Sequence, residues 1–142
     1  MDKPTLFNKL VLFTTSVHRV THELTQNAKS DLITPVQYNI LEYITVSQPV
    51  TPSEISDCLH VSMPNTSREL KKLSQKNLIE KINDNEDRRK QYVRLSSVGE
   101  DIMREAFENI ESRFLARIQN STQEDLKELE HALDVLQEKL FY

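Results

Sequence analysis

Apolar side chains at Leu6, Leu10, Phe13, Val17, Val20 and Leu24 recur every three or four positions. That spacing predicts a first helix with one apolar stripe over about six turns. Thr34-Pro35-Val36-Gln37 predicts the start of a second helix, with Thr as cap, Pro in the first turn and Gln reaching back to the cap. Val36, Ile40, Leu41 and Ile44 are its expected buried face. Thr51-Pro52-Ser53-Glu54 repeats the capping pattern before a short third helix, expected to hold Ile55, Cys58 and Leu59 inside. After the turn Leu59-His60-Val61, Ser62 caps a fourth helix over 62–76. At 100° per residue, Met63, Thr66, Leu70, Leu73 and Asn77 share one side of it. Arg68 lies opposite, flanked by Pro64, Asn65, Lys71, Lys72 and Gln75. Asn77 suits the left-handed stop that glycine usually fills.

Two short apolar runs follow, Leu78–Ile82 and Gln91–Leu95, around the charged turn Asp84-Asn85-Glu86-Asp87-Arg88-Arg89-Lys90. They predict a two-stranded hairpin with a protruding tip. Ser96 or Ser97 then caps a fifth helix with Ile102, Met103, Ala106, Phe107, Ile110, Phe114 and Ile118 on a broad apolar face. Asn120–Glu124 breaks it and caps a sixth. There Leu126, Leu129, Leu133, Leu136 and Leu140 follow a 3-4-3-4 spacing, a narrow seam of coiled-coil type. The expected fold is mainly α with a small β-wing: a winged helix-turn-helix over 33–96, with helical regions at 1–32 and 97–142.

Composition agrees with this. The 142 residues are 37% hydrophobic and only 6% aromatic, with one glycine and five prolines, which suits a mainly helical chain with a real core. No window approaches ~18 consecutive apolar residues, so no membrane span is expected. The first residues do not read as a signal peptide, and the single Cys58 fits a reducing cytoplasm. No phosphate-cradling glycine loop or nucleophile elbow is present, so an enzyme is not expected, and neither is a cofactor. His18 and His22 stand four apart but lack a clear third ligand, so no metal site is assigned.

Charge changes the picture more. The net charge of −4 alone argues against nucleic acid. From Ser62 to Arg94, however, nine basic residues against five acids give +4, leaving −8 for the remainder. A basic stripe on an acidic body is an oriented electrostatic footprint. The fourth helix can enter a major groove, with Asn65 and Arg68 as base readers. Lys71 and Lys72 suit phosphates, as do the hydroxyls of Ser62, Thr66 or Ser67, and Pro64 lies on the same face. Arg88 and Arg89 are the wing's candidates. Asp87, two residues before Arg89, can brace it by an ion pair. The plain alternative for all of these is solvated surface. A winged helix that binds a protein partner is the rival to DNA binding; apolar residues at these positions would favour it.

The stretch Asn77-Leu78-Ile79, then Asp84 to Arg89, then Val93-Arg94-Leu95-Ser96 and Gly99, resembles the MarR family of bacterial transcriptional regulators. Val61 to Arg68 resembles the family's recognition-helix entrance; Asn77 stands where the family usually has glycine. The resemblance covers nearly the whole chain. It implies a homodimer whose first and last helices form a shared base, here through Leu6, Leu10 and Phe13 and through the Leu126–Leu140 seam. Two lobes then read a pseudo-palindromic double-stranded operator, with half-sites about one helical turn apart. The arginine at the place of Arg89 is implied to enter the minor groove. The usual outcome is repression, and the resemblance suggests a pocket lined by helices one, two and five for a small aromatic or phenolic effector. Some members sense oxidants through a first-helix cysteine, which this chain lacks; Cys58 reads as a core residue.

Overall fold

Ser96 sits where three elements meet, and its hydrogen bonds explain much of the architecture. In the computed structural model, which describes residues 2–27 and 32–142, the order is α1 (Lys3–Thr25), α2 (Pro35–Ser47), α3 (Pro52–Leu59), α4 (Met63–Gln75), β1 (Ile79–Asn83), β2 (Gln91–Leu95), α5 (Ser97–Arg117) and α6 (Gln123–Lys139). Positions 28–31, just before the expected boundary at 32, lie outside the described residues, as does Met1. The Ser96 N–H donates to Leu78 O (3.0 Å) and its hydroxyl to Asn77 O (2.6 Å), while its Oγ accepts from Gly99 N (3.0 Å). One serine therefore caps α5 and ties it to the end of α4 and the start of β1. Gly99 allows the close approach: a Cβ there would meet Leu78 O at 2.1 Å.

The chain divides into two compact units, residues 1–110 and 111–142. In the first, the core is built by Tyr38, Ile40, Leu41 and Ile44 of α2, Ile55 of α3, Leu70 and Leu73 of α4, the hairpin residues Ile79, Val93 and Leu95, and Met103 and Ala106 of α5. The strands pair antiparallel, Ile79 opposite Leu95 through Asn83 opposite Gln91. Val50 adds a third, one-residue strand: Val50 N donates to Val93 O (3.1 Å) and Val93 N to Val50 O (2.6 Å). Gln48, just past α2, accepts from Leu95 N (2.9 Å). The fold is a winged helix-turn-helix, mainly helical, as the periodicities predict.

Several local expectations hold with their chemistry. Thr34 and Gln37 form the reciprocal capping box of α2 (3.2 Å each way). Asn77 is left-handed (φ 59°) and closes α4 in a Schellman arrangement, with Asn77 N donating to Ser74 O (2.9 Å) and Leu78 N to Leu73 O (3.0 Å). Buried Leu73 and Leu78 supply the contact that accompanies this motif. His60, in the turn between α3 and α4, is also left-handed (φ 53°).

Others need correction. Thr51 accepts from Glu54 N (3.1 Å), but no return bond completes a box at α3 among the described residues. Cys58 is exposed, not in the core. Ser56 is buried in its place, because its hydroxyl donates to Val61 O while a helix of eight residues has room for only one inward stripe, Ile55-Ser56-Leu59. Val36 and Met63, both expected inside, are exposed: each lies in the first turn of its helix, beyond the reach of the core. The first strand starts at Ile79 rather than Leu78, which belongs to the α4 stop.

No residue of α1 is buried; Leu10, Val20 and Leu24 are half-covered, and Leu6, Phe13 and Val17 are exposed. His18 and His22 are exposed, and no group of three or more metal-ligating side chains occurs among the described residues. In the second unit, Thr122 and Asp125 cap α6 reciprocally (3.0 Å each way). No α6 residue is buried either: Leu126 and Leu136 are half-covered, while Leu129, Leu133 and Leu140 are exposed, Leu140 just beyond the helix end. No helix among the described residues is long and apolar enough to cross a membrane.

Candidate nucleic-acid interface

The fourth helix is set by its two faces. Ser62 caps it, accepting from Asn65 N (3.3 Å), and Pro64 occupies the first turn. Thr66, Leu70 and Leu73 are its buried positions. Their burial fixes which side remains outside: Pro64, Asn65, Ser67, Arg68, Lys71 and Lys72 are all exposed. Thr66 must therefore leave the set of expected phosphate ligands. It is fully buried, and its hydroxyl finds no partner among the described residues. The i, i+4, i+7 spacing that makes Thr66 part of the core also denies it to any ligand. Lys72 makes an exposed 3.4 Å ion pair with Glu69, a contact weak enough to be exchanged for a phosphate.

The wing holds its own shape. Asp84 Oδ1 accepts from Glu86 N (2.9 Å) and Asp87 Oδ1 from Arg89 N (3.0 Å), two Asx turns in succession. Asp84 N donates to Lys90 O (3.1 Å) and Lys90 N to Asp87 O (3.0 Å). Asp87 thus braces the backbone at Arg89; the expected side-chain ion pair is not formed. That leaves the guanidinium groups of Arg88 and Arg89 outward and exposed, with Lys90 beside them. At the base, Arg94 lies opposite Glu80 and pairs with it (3.0 Å), so this arginine of the basic stretch is already engaged.

Between these two parts runs an open groove of about 570 Å³, bounded by Thr51–Glu54 at the start of α3, by Met63 and by Arg88–Tyr92. It brings together residues that the sequence reading left apart: the α3 cap, Lys90, Gln91, Tyr92 and the exposed Met63. The signal for the wing wall is the strand register, which follows from counting back from the buried Val93 and Leu95. The α3 wall has no comparable signal, because nothing in the spacing brings residue 53 near residue 90. The α3 wall carries the Glu54 carboxylate, and its first turn is already capped, since Pro52 has no N–H and Glu54 N donates to Thr51 Oγ1; it is the wing wall, with Arg88, Arg89 and Lys90, that suits an anionic strand.

A smaller cavity of about 220 Å³ lies elsewhere in the first unit, lined by Thr45, Gln48, Leu95, Glu100, Met103, Arg104 and Phe107. It uses α2 and α5 but no α1 residue, and it is below the ~300 Å³ of usual small-molecule sites. The two tyrosines of α2 are packing residues. Tyr38 is buried, and burial together with the nearby Glu42 charge raises its pKa above the ordinary phenol value; Tyr43 is half-buried.

Residues 33–90 match the model of the MarR family. No curated protein sequence matches the chain. Among solved structures, a MarR family protein from Bacillus stearothermophilus is similar over 100% of this chain and 99% of its own, at 19% identity and a TM-score of 0.79. MarR of Staphylococcus aureus in complex with salicylate and kanamycin is similar over 96% of this chain and 93% of its own, at 23% identity and a TM-score of 0.73. A mutant of Staphylococcus aureus MepR bound to an oligodeoxyribonucleotide is similar over 90% of this chain and 97% of its own, at 21% identity and a TM-score of 0.60. The likeness in structure is one of fold. The resemblance read from residues 61–99 is borne out: the winged segment matches the family's sequence model, and the chain has the fold of these MarR proteins.

Proposed function

We propose that this MarR-type chain is a homodimeric, sequence-specific DNA-binding transcriptional regulator acting as a repressor. The observation that carries the proposal is the division of α4. Three buried residues leave Asn65, Arg68, Lys71 and Lys72 on one exposed face, next to a braced wing that holds Arg88 and Arg89 outward. Residues 33–96 are the reading lobe, and 1–32 with 97–142 form the dimer base. Asn65 and Arg68 read base edges in the major groove. Ser62, Ser67, Lys71 and Lys72 hold phosphates beside Pro64. Wing 83–90 enters the minor groove through Arg89, with Arg88 at its rim. The strand that joins the two grooves runs along the channel between α3, Met63 and the wing. The oligodeoxyribonucleotide bound by the MepR relative supports this assignment.

Two features support the dimer. α1 and α6 bury no residue, and their apolar positions Leu6, Phe13, Leu129, Leu133 and Leu140 face outward, with Leu10, Leu126 and Leu136 half-covered. A second copy is the partner that would cover both stripes symmetrically. A small aromatic or phenolic effector is the third partner proposed, by analogy with the salicylate-bound relative. The protein-interaction alternative lacks support, since the outer faces of α4 and the wing carry polar and basic residues rather than an apolar patch.

A gel shift with the DNA upstream of its own gene, repeated across salt, tests the reading. Affinity is expected to fall steeply with log salt, by roughly 0.9 per phosphate neutralised. No shift at low salt with any fragment of that region would sink it. Arg68→Ala is expected to lower the ratio of operator to random DNA binding by about 5- to 100-fold. Lys71→Ala should weaken both alike and reduce the salt slope by about one.

A further inference from the structure

Gln37 does more than cap its own helix. The residue is only 2% exposed, yet both polar atoms of its side-chain amide are engaged. Oε1 accepts from Thr34 N (3.2 Å) and from the Lys76 ammonium (2.8 Å), and Nε2 donates to Glu69 Oε2 (3.1 Å). Lys76 Nζ also donates to Leu32 O (2.6 Å). The amide orientation is dictated by its neighbours. Turned over, it would set NH₂ against an ammonium and a carbonyl against a carboxylate. Glu69 and Lys76 are seven residues apart, so they lie on one side of α4, two turns from each other. Glu69 is also the residue next to Arg68.

We infer that Gln37 is a positioning residue for DNA reading: by gripping Glu69 and Lys76 it sets the roll and tilt of α4, and through them the aim of Asn65 and Arg68. The inference rests on the DNA-binding role proposed above. The apolar contacts of α4 through Leu70 and Leu73 fix which side faces the core, but they carry no directional bond, so the fine angle within that packing is left to the hydrogen bonds from Gln37. A roll of about 20° moves an atom ~6 Å from a helix axis by roughly 2 Å. That is enough to break a bidentate base contact, whose bonds must stay near 3 Å. A flexible lysine contact to phosphate survives the same displacement. Loss of the grip should therefore cost specificity and spare general affinity.

The test compares wild type, Gln37→Met and Lys76→Met. Met keeps length and burial at position 37 while removing all three bonds. The second variant leaves the α2 capping box intact and changes an exposed side chain, so it carries the test if the first fails to fold. Binding to the upstream DNA and to a random duplex is measured from low to moderate salt. The expected result is an operator-to-random ratio reduced about tenfold in each folded variant, the scale of one misaligned base contact, with a salt slope within about one of wild type. An unchanged ratio in the folded variants overturns the inference. So does an equal loss on both duplexes. Wild type binding no duplex at all instead removes the DNA role itself, an outcome read in a separate lane.

Discussion

Helices α1 and α2 carry the same kind of apolar periodicity and meet opposite fates. In α2, Ile40, Leu41 and Ile44 are wholly buried within the first unit. In α1, Leu6, Phe13 and Val17 repeat at similar intervals and stay exposed; in α6, the Leu129 and Leu133 positions do the same. Periodicity reports that a helix has a face to cover. It does not report whether the same chain supplies the cover. A core of α2, α3, α4, the hairpin and the start of α5 is complete within residues 33–110, and the apolar stripes of α1 and α6, which the proposed dimer would cover, take no part in it.

The sharpest way to break this contrast is a pair of truncations. Ile44→Ala is expected to destabilise the chain by about 2–5 kcal/mol, because it opens a cavity in a closed core. Leu133→Ala should cost far less in dilute protein and should make the melting temperature depend on concentration. Chemical denaturation at two concentrations separates the two, and equal losses would undo the comparison. Next in size is assembly. Phe13→Asp with Leu133→Asp should halve the mass measured by light scattering while leaving the winged lobe's circular dichroism in place. A retained dimer would mean that other surfaces hold it.

Within the first unit, Gly99→Ala is expected to cost about 1–3 kcal/mol, since the new methyl group collides with the Leu78 carbonyl. Smaller still is Thr66→Val. It removes a buried hydroxyl without a partner, so stability should be unchanged or raised by up to about 1 kcal/mol, and affinity for the operator should not move. A loss of DNA affinity would return Thr66 to the interface. The last effect concerns alkaline pH. The Tyr38 pKa is raised above its unfolded value of 10.0. A raised acid keeps its stabilising share below the unfolded pKa and loses it as pH climbs from about 10 through the folded value. Tyr38→Phe should therefore flatten the decline in stability above pH ~10, as followed by denaturant titration.

The residues show where reading along the chain succeeds. Thr34 with Gln37, Ser62 with Asn65, and Asn77 after α4 are local devices whose partners lie within a few positions, so their chemistry is visible in order. The two faces of α4 follow equally from angle alone. What escaped is of two kinds. Helix ends mislead, as at Val36 and Met63, because a repeating stripe says nothing of where the core stops. Competition for one inward stripe also misleads, as at Cys58, where a serine satisfied by Val61 took the interior. Asp87 shows a third limit. Proximity in sequence suggested a charge pair, but the nearer partner was the Arg89 backbone N–H.

By itself, then, the sequence determined the elements, their order, the apolar stripe of every helix but the short α3, and the basic stretch that singles out α4 and the wing. These depend on spacing and charge, which are properties of a line. Only the tertiary structure decided that the start of α3 and the wing enclose one groove and that Gln37 grips α4 at Glu69 and Lys76. The contacts of Gln37 join residues 32 and 39 positions apart, pairs that no periodicity links. They exist because a packed core leaves each buried polar group to find its partner in space.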